Sequence, residues 1–93
     1  MNKLEKWPSI EKELIAAYEL LPKSVVESDE GYRKKDFLSY IKANELLLAM
    51  EELDGVIEDN QSPSKEFWGH LIKAAKIMGH SHVTRYESIR SAT

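Results

Sequence analysis

The 93-residue chain contains no cysteine. Disulfides, thiolate metal ligation and a cysteine nucleophile are therefore excluded, and the fold must hold through packing alone. No apolar run exceeds five residues, the length of Leu46–Met50, whereas a bilayer-crossing helix needs roughly 20. The opening MNKLEKWPSIEKEL has no apolar stretch of signal-peptide type. A cytoplasmic, unprocessed protein that does not enter a membrane is expected. The four glycines, Gly31, Gly55, Gly69 and Gly79, are isolated, so no glycine-rich loop can cradle a phosphate. There is no Gly-x-Ser-x-Gly elbow. No alternating stretch long enough for a strand occurs, which leaves an all-α reading.

One further absence is local. Residues 44–60 (NELLLAMEELDGVIEDN) carry no lysine or arginine, but they hold Glu45, Glu51, Glu52, Asp54, Glu58 and Asp59. These are six of the sixteen acids; the other ten face thirteen basic residues, so the net charge of −3 comes from this one segment. A concentrated acidic face is most useful for meeting something basic.

Apolar residues recur at helical spacing through most of the chain. Ile10, Leu14, Ala17, Tyr18 and Leu21 form one stripe. They predict a first helix from Pro8 or Ser9 to Leu21, capped by Ser9 and stopped by Pro22. Trp7 is expected to fold back on that stripe. Residues 23–31 read as a connector. A second helix is expected over 30–42 with Asp29 as its cap, and a third over 45–59 with Asn44 as its cap. At about 100° per residue, Leu46, Ala49, Met50, Leu53, Val56 and Ile57 share one sector of the third helix. Ser62-Pro63 suits an N-cap with proline in the first turn of a fourth helix. That helix runs to Met78, with Gly79 as its left-handed terminator. Val83, Tyr86 and Ile89 permit a short fifth helix, although the tail 80–93 is expected to fray. Together these elements define one domain of residues 1–93, a compact four-helix bundle-like arrangement.

Leu47 and Leu48 lie outside the apolar sector of the third helix, among its carboxylates. Two readings are open. A central helix packed on two sides would cover both leucines; alternatively, each is an apolar anchor inside an acidic rim, the common build of a binding hot spot. The acids likewise are either a solvated face, balanced by Arg33, Lys34 and Lys35 of the second helix, or a docking surface. Those three cations, diluted by Glu30 and Asp36, are too few for a nucleic-acid footprint, and no nucleic-acid partner is expected. His80-Ser81-His82 has the spacing of a local chelate, with His70 one helix away. The sequence places no fourth ligand, so no metal and no cofactor are expected. Carboxylate pairs such as Glu51/Asp54 lack the desolvated pocket that acid–base chemistry requires, and no enzyme is expected.

The segment FLSYIKANELLLAMEELDGVIEDNQSPSKEFWGHLIKAAKIMG runs helix, Asn-Glu turn, Leu-Ala-Met-Glu-Glu-Leu helix, Ser-Pro-Ser loop, then Phe-Trp and a closing helix. It resembles the small all-helical immunity proteins of bacterial polymorphic-toxin systems, including those paired with Maf-like toxins. The likeness covers Phe37–Gly79. It implies a stoichiometric inhibitor that binds a cognate toxin domain, commonly a nuclease with a basic groove. An acidic third helix would suit such a groove. The residues expected to meet the partner are Glu51, Glu52, Asp54, Glu58 and Asp59 as charged contacts, with Leu47 or Leu48 as anchor. The alternative is a self-associating helical adaptor or housekeeping interaction protein, with Leu47 and Leu48 in a two-fold patch.

Overall fold

The computed structural model describes residues 3–93, with side chains from Lys6 onward. Five α-helices follow one another: α1 (Lys3–Glu19), α2 (Lys34–Lys42), α3 (Leu46–Asp54), α4 (Lys65–Met78) and α5 (His82–Ala92). A single 3-10 turn, Gly55–Glu58, extends α3. There is no strand among the described residues. The molecule measures 36 × 28 × 19 Å. α4 lies between α1 and α5, while α2 and α3 form a helical hairpin whose α3 also rests on α1. No helix is long and apolar enough to cross a membrane.

The first helix begins earlier than its proline suggests. Pro8 is its sixth residue, where proline removes one backbone hydrogen bond without ending the helix. Trp7 is exposed and does not fold back on the core. At the other end, Leu20 N–H bonds the Ala17 carbonyl (3.0 Å) and Leu21 N–H the Tyr18 carbonyl (3.1 Å). This tightened turn leads into Pro22 as expected.

The second helix starts four residues later than predicted, at Lys34, and Asp29 does not cap it. Residues 23–33 instead form a strap pinned from the far side of the chain. Asn60 binds Val26 at both backbone groups, through Oδ1 (2.9 Å) and Nδ2 (3.0 Å). Ser28 Oγ donates to Asp59 Oδ2 (2.6 Å) and accepts from Gly31 N–H (2.7 Å). Arg33 N–H donates to Glu52 Oε2 (2.8 Å), and Lys34 N–H to Glu27 Oε1. Gly31 is needed for this approach, because a Cβ there would collide with the Asp59 carboxylate.

Asn44 does not cap α3. It sits at φ 60° and closes α2. Its N–H bonds the Ile41 carbonyl (3.0 Å) and that of Glu45 bonds the Tyr40 carbonyl (2.8 Å), the paired pattern of a Schellman ending. Gly79 closes α4 in the same way at φ 67°, with His80 N–H on the Ala75 carbonyl (2.9 Å) and Gly79 N–H on that of Lys76 (3.1 Å). The cap of α4 is Ser64, whose Oγ accepts from Phe67 N–H (3.2 Å). Ser62 is engaged elsewhere, and its Oγ accepts from Trp68 Nε1 (3.0 Å) and bonds Thr93 Oγ1 (2.9 Å).

The core is built from Leu14, Phe37, Met50, Leu53, Phe67, Trp68, Leu71 and Tyr86, all fully buried. Trp68 meets Phe67 edge-on and Tyr86 at a tilt. The stretch expected to fray is helical to Ala92, and Tyr86 fastens it to the interior.

Candidate functional site

On α3, Leu46, Ala49, Met50 and Leu53 face inward and are buried. With about 100° between successive residues, the opposite side of the helix presents Leu47, Glu51 and Leu48, with Glu51 between the two leucines. Both leucines stand partly in solvent, Leu47 38% and Leu48 44% exposed. The two-sided packing that would have sealed them does not occur.

Asp54 and Glu52 flank this outward strip and are turned to internal work. Asp54 faces α5, where its Oδ2 accepts from the Tyr86 hydroxyl (2.8 Å) and from Arg85 (2.9 Å). Burial, followed by the charge and hydrogen bond of Asp54, pushes the Tyr86 phenol above its ordinary value. Glu52 faces the strap. Burial raises its carboxyl above the ordinary value, against the Arg33 N–H bond that lowers it. Asp59 is exposed but holds Ser28.

The remaining acids look outward. Glu51 is exposed, with only His82 Nε2 beside it at 3.1 Å. Glu58 is exposed and has no partner among the described residues. The cations of α2 do not reach across: Arg33 pairs with Asp29 (3.5 Å) and Asp36 (3.7 Å), and Lys34 Nζ lies 5.9 Å from the Tyr18 ring centre. Arg85 on Asp54 is thus the one Lys or Arg paired with the acids of 44–60 among the described residues.

Leu48, Glu51 and Glu52 line a shallow depression of about 180 Å³ together with Glu30, Gly31, Tyr40 and Gly55. This gathers three of the expected site residues into one concavity. Glu30 and Tyr40 join them from elements that sequence spacing alone does not link to α3. An apolar floor with carboxylates around it can take the alkyl stem and cationic head of a lysine or arginine. Leu47, Asp54, Glu58 and Asp59 do not line it.

The histidines are divided. His70 Nδ1 lies 2.7 Å from Glu13 Oε2 and ties α4 to α1. His80 and His82 meet edge to face with ring centres 4.1 Å apart. No group of three or more ligating side chains suited to a metal occurs among the described residues. No protein-family model, curated protein or solved structure matches the chain.

Proposed function

We propose that this chain is a non-catalytic immunity protein, a stoichiometric inhibitor that seats the basic surface of a cognate bacterial toxin domain on the outward face of α3. The observation that carries the reading is the strip Leu47–Glu51–Leu48: two large apolar side chains left in solvent, one on each side of a carboxylate that no lysine or arginine neutralises. Solvent-exposed leucine inside a charged rim does nothing for an isolated helix and suits a contact that dries on binding. The acids steer a cationic partner and fix its register, while the leucines supply the apolar area that slows dissociation. Glu51, Glu58 and the depression at Leu48 are the outward contacts. Glu52, Asp54 and Asp59 act mainly by holding the strap and α5 against α3, and add long-range negative potential.

Self-association through Leu47 and Leu48 is the competing use of the same strip. It would bring the Glu51 carboxylates of two copies together, which like-charge repulsion opposes. The test is co-expression with the C-terminal domain of an exported protein encoded beside this chain. A 1:1 complex that blocks the activity of that domain is expected, from a chain that is monomeric when alone. A concentration-dependent dimer in light scattering, with no complex, would favour the adaptor reading.

A further inference from the structure

A second concavity lies on the other side of the strap. The end of α1, the connector after it and the start of α2 enclose about 340 Å³, walled by Tyr18, Leu21, Val25 and Tyr32. The Tyr18 ring is a fixed platform, since Phe37 stacks behind it with ring centres 5.0 Å apart and planes 19° from parallel. Tyr32 is 3% exposed, and its hydroxyl bonds no described residue. No fully buried side-chain oxygen or nitrogen lacks a partner among the described residues, so the Tyr32 oxygen retains its one opening at the cleft it lines. Burial raises its pKa above the ordinary value, which keeps it a protonated donor at neutral pH. A phenol withdrawn this far with nothing to bond is a cost to the fold until an incoming group completes it.

The rim selects against an ion. Lys34 and Glu27 carry opposite charges at its edge, so a neutral occupant with a flat apolar face and a polar edge is the best match. The cleft is also continuous with the proposed docking face. Glu27, Tyr32 and Lys34 line it from one side of the strap, and Glu30 and Gly31 line the Leu48 depression from the other.

We infer that this cleft receives a tryptophan or tyrosine side chain of the protein partner, its ring on Tyr18 and its polar edge hydrogen-bonded to the Tyr32 hydroxyl. This inference rests on the docking reading above, extending that contact around the strap. The anchor fills the cleft while the partner's cations engage α3, so the two depressions are read by one continuous surface.

The test needs no partner. N-acetyl-tryptophanamide is titrated into the whole chain while amide shifts are followed by NMR, with N-acetyl-leucinamide as the control. Saturable shifts confined to residues 18–34 are expected, with the leucine amide at least about threefold weaker. Tyr32→Phe keeps the ring and removes one hydrogen bond, and should weaken the tryptophan amide about three- to tenfold without altering the rest of the spectrum. Tyr18→Ala should abolish the response. Absence of saturable shifts at about 20 mM, equal binding of the leucine amide, or unchanged affinity in Tyr32→Phe each overturns the inference. Charge reversal on α3 leaves this titration unchanged, so failure here and failure of the docking reading are separable.

Discussion

Replacing Leu47 and Leu48 singly by alanine tests whether these side chains serve the fold. Leucine to alanine removes about three carbons, worth about 2.4 kcal/mol when fully buried. Leu47 is 38% and Leu48 44% exposed, so roughly 60% of that, about 1.4 kcal/mol, is the ceiling for each. The slightly better helix propensity of alanine returns a few tenths, and no closed cavity forms. Leu53, on the same helix and fully buried, is the internal reference. Its replacement adds a cavity term and should cost about 2.7–5 kcal/mol. Urea unfolding monitored by far-UV circular dichroism gives all three values under one set of conditions. The expected order is a loss near 1 kcal/mol at positions 47 and 48 against several at 53. A loss above about 3 kcal/mol at either outer leucine would mean that it is a core residue, and the strip Leu47–Glu51–Leu48 would lose its meaning as a contact surface.

Tyr86→Phe removes the hydroxyl that reaches Asp54 from a fully buried ring. A hydrogen bond to a charged group is worth about 1.5–3 kcal/mol, and a loss near the lower figure is expected because Arg85 still holds the carboxylate. A loss under about 0.5 kcal/mol in the same unfolding assay would contradict this role. Glu52 separates two effects. Glu52→Ala leaves Arg33 N–H unmatched and should destabilise by about 1–3 kcal/mol, whereas Glu52→Gln keeps an acceptor there. The raised carboxyl means that the folded chain holds this proton more tightly than the unfolded one. Its stabilising contribution is therefore present below the ordinary value of 4.5 and is lost as pH rises through the folded value. Relative to the native chain, Glu52→Gln should gain stability across that range. A difference that does not vary with pH would refute the burial argument.

Much of the helical frame can be read from the chain. The inward sector of α3, the terminator Gly79 and the apolar face of α4 all follow from local pattern and appear as expected. The differences cluster where one residue type suits two jobs. Asn44 stands between two helices, and asparagine serves both as an N-cap and in the left-handed position that ends a helix; here it does the latter. Serines at 62 and 64 both suit a cap, and Trp68 decides between them, because its indole N–H takes Ser62. The strap shows no periodicity because its bonds run to Asn60, Asp59 and Glu52, some 19 to 34 residues away. Local pattern carries no trace of such partners. The surplus leucines of α3 are legible as a surplus. Which acids remain free is not, because it depends on α5 bringing Arg85 and Tyr86 to Asp54 and on the strap bringing Arg33 to Glu52.

The central claim is that the free acids of α3 and the turn after it guide a basic partner to this face. Stopped-flow association of the cognate toxin domain with the native chain and with Glu51→Lys/Glu58→Lys, at low and high salt, addresses it most directly. The account predicts that reversal slows association at low salt by about tenfold or more and flattens the salt dependence, while the helical spectrum is retained. Equal rates and equal salt slopes for the two proteins would contradict it.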